Sequence, residues 1–157
     1  MNTGIGLKES SRAKVLALLA HALADLGVLA LKTRNFHWNV VGPRFNDLHK
    51  FFETQYDAIE GSIDETAERS RALGGRALGS MKEFLAQSRL KENAAGLAPS
   101  ADAMLSELLS DHETLVRHLR ADVDACADAG DQGTADFLTG LMEAHEKMAW
   151  MLRSFVS

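Results

Sequence analysis

A chain of 157 residues with 46% hydrophobic side chains is long enough for one domain with a substantial core. The net charge of −5 argues against a folded body that holds nucleic acid by electrostatics alone. A single cysteine, Cys126, excludes an intrachain disulfide framework and a cysteine-based zinc site. With only two prolines and abundant Ala and Leu, the sequence predicts one all-α domain over residues 1–157. Residues 1–9 are expected to form a short flexible tail, and the lack of an apolar signal core there favours the cytoplasm.

Apolar positions recur every three or four residues, which predicts helices. The first is expected to begin at Ser10 or Ser11, either of which can cap it, and to end before the Gly-Pro pair at 42–43. Its apolar stretch, residues 15–31, is interrupted by polar residues, so a buried helix is favoured over a membrane span. The second helix is expected from about residue 46 to residue 73.

The second half of the chain predicts two more long helices. The connection at 74–99 is long, and the stretch MKEFLAQSR within it predicts a short helix. Ser100 is expected to cap a long helix that reaches about Ala129, and the last helix is expected over about 134–155. Four long helices with one long middle connection predict a four-helix bundle.

A polar stripe follows one face of the second predicted helix. Its members, spaced by three or four residues, are His49, Glu53, Asp57, Glu60, Asp64 and Glu68. A solvated acidic face is the ordinary interpretation of such acids, and a metal site is the functional alternative.

Histidines at matched distances from the Gly-Pro break favour a metal site on this stripe. His37 lies six residues before Pro43 and His49 six residues after it, so antiparallel helices bring the two imidazoles together. Glu53 follows His49 by one helical turn, which places a carboxylate beside the imidazoles. Imidazole and carboxylate ligands together suit iron, zinc or manganese.

The second acidic pair cannot reach the same metal within one chain. His49 and Asp64 are 15 residues apart, roughly 22 Å along a helix. A two-fold partner with an antiparallel second helix would bring Asp64 and Glu68 opposite His49, with the axis near Ala58. The chain contains no Glu-x-x-His motif of the kind that builds a di-iron site inside one bundle. A site at a subunit interface is what this geometry predicts.

These motifs resemble the Dps family, the DNA-binding proteins from starved cells or mini-ferritins of the ferritin-like superfamily. The resemblance covers nearly the whole chain and is carried by NFHWNVVGPRFNDLHKFFE, IDETAERSRALGG and GDQGTADFLTGLMEAHEKMAWMLRSF. It implies a ferritin-like bundle that assembles into a hollow homododecamer with a di-iron ferroxidase centre at each two-fold interface. It also implies oxidation of Fe(II), preferably by hydrogen peroxide, storage of Fe(III) oxide, and protection against oxidative damage.

Each iron ligand of the family has a matching position in this chain. The resemblance places iron ligands at His37, His49 and Glu53 of one chain and at Asp64 and Glu68 of the partner subunit. Many members have Asp where this chain has Glu53, which puts the occupancy of the second iron position in question. Trp38 resembles a tryptophan that takes up stray oxidising equivalents. Asp131 and Asp136 fall near the acid-lined three-fold pore of the family.

Other classes of function remain as alternatives. One is a DNA-compacting protein of the nucleoid with secondary metal binding, and another is a bundle whose dimer is stabilised by zinc without redox chemistry. The basic residues near the N-terminus are Lys8, Arg12 and Lys14, and the negative charge of Glu9 offsets one of them. So few cations neutralise few DNA phosphates, and weak or absent DNA binding is expected. No membrane association is expected.

The remaining chemically distinctive residues have structural interpretations. His21, His112 and His145 lie on apolar stripes and are expected to be structural. His118 is expected on the surface and Trp150 in the core or an interface, while Cys126 is expected to be a small buried residue.

Overall fold

The computed structural model describes residues 3–157, which contain five helices and no strand. The helices are α1 (Glu9–Asn39), α2 (Phe45–Ala72), α3 (Met81–Gln87), α4 (Ala101–Asp128) and α5 (Gln132–Val156). The long helices form two hairpins, α1 with α2 and α4 with α5, and α1 also packs against α4 and the short α3. The predicted all-α four-helix bundle with a short helix in its middle connection is confirmed.

The start of α1 differs from the sequence prediction. Neither Ser10 nor Ser11 caps the helix: it begins at Glu9, and Lys8 occupies the cap position without a side-chain hydrogen bond. The carboxylate of Glu9 lies in the first turn, where it interacts favourably with the positive end of the helix dipole. Glu9, which the sequence places in the tail, is therefore helical, and residues 1 and 2 of that tail lie outside the described residues.

Serine side chains cap the N-termini of α3 and α4. Ser100 accepts a hydrogen bond from the amide of Ala103, as predicted for α4. The hydroxyl oxygen of Ser80 accepts a hydrogen bond from the backbone amide of Glu83. In return, the carboxylate of Glu83 accepts a hydrogen bond from the Ser80 hydroxyl, and it also pairs with Arg76. Hydrogen bonding to Arg76 is the largest cause that lowers the pKa of Glu83 to about 2.

The core fills the space between the four long helices. Fully buried side chains include Leu26 of α1, Phe52 of α2, Leu115 of α4 and Leu138 of α5. By length and composition alone, α1 could cross a membrane, but more than half of its most apolar segment is buried inside the protein, as in a core helix.

Asp25 anchors the middle connection to the bundle. Its carboxylate is fully buried on α1 and accepts hydrogen bonds from the hydroxyl of Ser88 at 3.0 Å and from the Arg89 side chain at 2.9 Å. Arg89 also pairs with Asp122 of α4 at 2.9 Å. The polar residue that interrupts the apolar stretch of α1 thus holds the segment after α3 in place.

Four single residues show where the sequence expectations hold and where they fail. Cys126 is fully buried, as predicted, and burial raises the pKa of its thiol to about 11. His21 joins α1 to the end of α3 through a 2.8 Å hydrogen bond to the carbonyl of Gln87. His118 is half-buried rather than a surface residue, because it lies near the Asp25 cluster. Trp150 is 60% exposed, so it is not part of this chain's core.

Candidate metal centre

The two histidines that flank the α1–α2 turn are bonded to each other's backbone. Nδ1 of His37 lies 2.7 Å from the carbonyl oxygen of His49, and Nδ1 of His49 lies 2.8 Å from the carbonyl oxygen of His37. The rings stack with centroids 3.7 Å apart. A carbonyl oxygen only accepts hydrogen bonds, so each Nδ1 must carry the proton. In the neutral imidazoles, both Nε2 atoms then keep a lone pair available for a metal.

The local chain geometry explains this reciprocal arrangement. Gly42 has φ of 111°, in the left-handed region that favours glycine, and its carbonyl accepts from the amide of Phe45 at 3.0 Å. His37 lies in the last turn of α1, where helix carbonyls lack helical partners and are free to accept from His49. The equal spacing of the two histidines from the turn places them at the same level of the hairpin.

Glu53 and Tyr56 extend the histidine pair along α2. Glu53 lies one turn after His49 and is exposed. The ring of Tyr56 meets that of His37 edge-on, with centroids 5.2 Å apart. Partial desolvation, followed by the negative charges of Glu53 and Asp57, raises the pKa of Tyr56. Sequence reasoning missed Tyr56, although its position seven residues after His49 places it on the same helix face.

Asp64 and Glu68 lie near the other end of α2, and both are exposed. Within residues 3–157 of one chain, no three His, Cys, Asp or Glu side chains are grouped closely enough to hold a metal. The structure therefore brings His37 and His49 together, but Asp64 lies about four turns and Glu68 about five turns further along α2 than His49. Their union across a two-fold interface stays a prediction.

An apolar surface surrounds Trp38, next to His37. Trp38 is 62% exposed, and it lines a groove of about 330 Å³ between α1 and α3 with Leu31, Met81 and Leu85, which are also exposed. At Gly27 of α1, a Cβ atom would lie 2.7 Å from the Phe84 ring, so glycine permits the close approach of α3. Contiguous exposed apolar side chains of this kind mark interaction surfaces.

The two candidate pore residues have different environments. Asp131 is buried, caps α5 through the amide of Thr134 at 2.9 Å, and pairs with Arg69 at 3.1 Å. Asp136 is exposed and lines a surface depression with Glu65. Asp131 thus already stabilises the start of α5, whereas the carboxylate of Asp136 faces the surface. The pore assignment of both stays a prediction.

Comparisons with known proteins agree with this fold. The profile of the ferritin-like domain matches residues 16–157. An uncharacterized low temperature-induced protein of Nostoc sp. is 52% identical over 153 residues, covering 97% of this chain and 85% of the relative. DNA protection during starvation protein 2 of Bacillus anthracis is 38% identical over 144 residues, covering 92% of this chain and 97% of the relative.

A solved structure extends the similarity to three dimensions. The Dps protein of Vibrio cholerae, described as a member of a broad superfamily of ferritin-like diiron-carboxylate proteins, superposes with a TM-score of 0.92. It is 28% identical, and the alignment covers 99% of this chain and 97% of that one.

Proposed function

Because this chain belongs to the Dps family of ferritin-like proteins, we propose that it oxidises Fe(II), preferably with hydrogen peroxide, and stores Fe(III) oxide in a homododecameric shell. The observation that carries this proposal is the reciprocal hydrogen bonding of His37 and His49. It fixes two imidazoles in the tautomer that binds a metal through Nε2, and Glu53 follows His49 by one helical turn. The activity would protect the cytoplasm against oxidative damage.

The donor set fits iron. Imidazole nitrogens and carboxylate oxygens are the ligands preferred by first-row divalent metals, and no thiolate lies among the proposed ligands. Carboxylates stabilise Fe(III) more than Fe(II), because the attraction between opposite charges grows with the charge of the ion. Neutral imidazoles complete the coordination without adding charge, so the same residues can bind the substrate and favour its oxidation.

The complete site would require a second subunit. In this proposal, Asp64 and Glu68 of the partner subunit face His37, His49 and Glu53 across a two-fold axis near Ala58. Ala58 and Gly61 are small and exposed, so two α2 helices can approach closely there. The apolar groove beside Trp38, the residue that follows His37, supports an interface near the histidine pair.

Two Fe(II) ions at one site match the electron demand of peroxide. One hydrogen peroxide takes up two electrons and two protons and gives two water molecules, while two Fe(II) become two Fe(III). Oxidation by this two-electron step releases no hydroxyl radical. Exposed Trp38 lies next to His37, where it could intercept a stray oxidising equivalent, and the carboxylate of Asp136 could attract Fe(II) at a pore.

We propose that DNA binding is weak. Arg12 pairs with Glu9 at 3.8 Å and donates to the carbonyl of Leu73 at 3.2 Å, so it is not freely presented to phosphates. Lys8 and Lys14 leave few cations at this end of the chain, and affinity for DNA depends on the number of phosphates neutralised.

The decisive experiment loads the assembled protein with Fe(II) under anaerobic conditions and then adds peroxide or oxygen. The absorbance of the ferric product should rise faster than in protein-free buffer, and faster with peroxide than with oxygen. His49→Ala should abolish the acceleration, whereas Lys50→Ala, at the exposed neighbouring position, should keep it. A wild-type rate equal to that in buffer would refute the ferroxidase function and favour a zinc-stabilised bundle or a DNA-compacting protein.

A further inference from the structure

Four rings contact one another in sequence along the α1–α2 hairpin, and Tyr56 lies at one end of the sequence. The imidazoles of His37 and His49 stack with their centroids 3.7 Å apart. The Phe45 ring packs against His49 at 5.1 Å between centroids, and the Tyr56 ring packs against His37 at 5.2 Å. Each proposed histidine ligand therefore contacts the other histidine and one aromatic ring of α2.

Packing against neighbouring rings sets the plane of the His37 imidazole. The hydrogen bond from Nδ1 of His37 to the carbonyl oxygen of His49, at 2.7 Å, fixes one ring atom, but a single such bond tolerates a range of ring tilts. The Tyr56 ring meets the imidazole at 81°, an arrangement that aromatic rings favour, and it limits this tilt together with the stacked His49 ring. The lone pair of Nε2 lies in the plane of the imidazole, so the tilt decides where a metal ion can bind.

Arg34 holds the Tyr56 ring in turn. The guanidinium carbon of Arg34 lies 4.5 Å from the centroid of that ring, a cation–π contact. The same guanidinium pairs with Glu60 of α2 at 3.1 Å, which restricts its own movement. Arg34 precedes His37 by almost one turn of α1, so Tyr56 lies against two neighbouring side chains of that helix. These contacts restrain a ring that is only half-buried.

We propose that Tyr56, held by Arg34, is a positioning residue for metal binding, which sets the plane of the His37 imidazole so that Nε2 can bind an ion together with His49. This inference rests on the proposed function and adds a residue to that site. Tyr56 acts through its ring and through His37, and it contributes no metal ligand of its own.

The test titrates assembled shells with Co(II), which accepts the same nitrogen and oxygen ligands and whose visible absorption depends on their geometry. Tyr56→Leu removes the ring and keeps an apolar side chain. It should weaken Co(II) binding about fivefold, the scale of one contact between rings. It should also change the Co(II) spectrum and raise the KM for Fe(II) more than it lowers kcat. Tyr56→Phe keeps the ring and should restore Co(II) binding to within about twofold of wild type.

Two further variants separate positioning from a merely structural role. Phe51→Leu removes another ring of α2, one that packs against Phe155 at 4.8 Å between centroids, and should change none of these quantities. Arg34→Lys keeps the positive charge but loses the planar group over the Tyr56 ring. It should weaken Co(II) binding less than Tyr56→Leu does. It should add no further loss in the Tyr56→Leu background, because Arg34 acts through that ring.

Equal Co(II) affinity and spectra for wild type and Tyr56→Leu would overturn the inference, and so would a loss as large in Tyr56→Phe or in Phe51→Leu. If Tyr56→Leu does not assemble, unchanged Co(II) binding by Arg34→Lys would contradict the inference instead. Wild-type shells that bind no Co(II) would also overturn it. Wild-type shells that bind Co(II) but do not accelerate Fe(II) oxidation would refute the proposed function while leaving the positioning role supported by the variants.

Discussion

The Nδ1 atoms of His112 and His145 lie 2.8 Å apart in the centre of the bundle, one on α4 and one on α5. Both residues are fully buried. Burial lowers the pKa of His145 to about 4, and burial together with the neighbouring His145 lowers the pKa of His112 well below its ordinary value. Both rings are therefore neutral near pH 7, and one Nδ1 must donate while the other accepts. The two histidines are held in opposite tautomers.

This shared hydrogen bond predicts energetic coupling between the two positions. His112→Leu should lower the free energy of unfolding by about 1–3 kcal/mol, because it leaves the Nδ1 atom of His145 buried without a partner. His145→Leu should have a similar effect. The double variant should be less destabilised than the sum of the single variants, since it leaves neither imidazole unpaired. Urea denaturation of the four proteins measures the coupling, and strictly additive losses would show that the bond contributes nothing.

The same pair predicts a loss of stability in acid. The ordinary pKa of histidine in the unfolded chain is 6.5, whereas the folded-state pKa is about 4 for His145. Between these values the unfolded chain binds protons that the folded protein does not, so stability falls as the pH falls through this window. The slope should reach about 1.4 kcal/mol per pH unit for each proton.

A matched control isolates this contribution from other titrating groups. Burial raises the pKa of Asp111 and Asp122, and these groups act in the opposite direction because the folded protein takes up their protons first. A variant with His112→Leu and His145→Leu keeps both aspartates and should lose much of the pH dependence between about pH 6.5 and 4. Identical pH profiles for this variant and wild type would contradict the assignment.

The architecture could be predicted from the sequence because it depends on local, periodic signals. Apolar residues at intervals of three and four placed the four long helices, and Ser100 marked the start of α4. The equal distances of His37 and His49 from the Gly-Pro break also predicted their proximity, since a hairpin aligns residues at matched separations from its turn.

Features that depend on distant partners could not be predicted in this way. Asp25 interrupts an apolar helix, and only the fold brings Ser88 and Arg89, more than 60 residues later, to its carboxylate. The cation–π contact of the Tyr56 ring likewise depends on Arg34, which lies on another helix. The predicted start of α1 is wrong because serines are common N-caps, while the actual cap position is held by Lys8, which gives no such signal.

A prediction on DNA follows from the charge distribution. Gel retardation of linear DNA at about 150 mM salt should show little or no shift, because each subunit presents few cations to phosphates. Lowering the salt should restore some binding if twelve copies add weak contacts. A tight complex that persists at high salt would show that Lys8, Arg12 and Lys14 contribute more than proposed, and substituting all three by Gln would identify them.

The shared-site hypothesis predicts complementation between inactive variants. Shells in which every subunit carries His49→Ala should be nearly inactive, and so should shells with Asp64→Ala throughout. In a mixed two-fold dimer, one of the two sites collects both substitutions and the other collects none. Random mixing at equal amounts makes about half of the dimers mixed, each with one working site of two. Co-refolded shells should therefore recover roughly a quarter of wild-type ferroxidase activity.

A site built within one chain makes the opposite prediction. Every chain would then carry a broken site, and mixing would restore no activity. Size-exclusion chromatography must confirm that the mixed shells assemble, and mixing His37→Ala with His49→Ala provides the control, since both substitutions affect the same half of the site. In that mixture every subunit lacks one of the two histidines, so every site lacks a histidine ligand whichever subunits pair. No recovery is therefore expected. Recovery with His49→Ala and Asp64→Ala, but not with the two histidine variants, would locate Asp64 on the partner subunit's side of the metal. Assembled but inactive shells in both mixtures would refute the shared site.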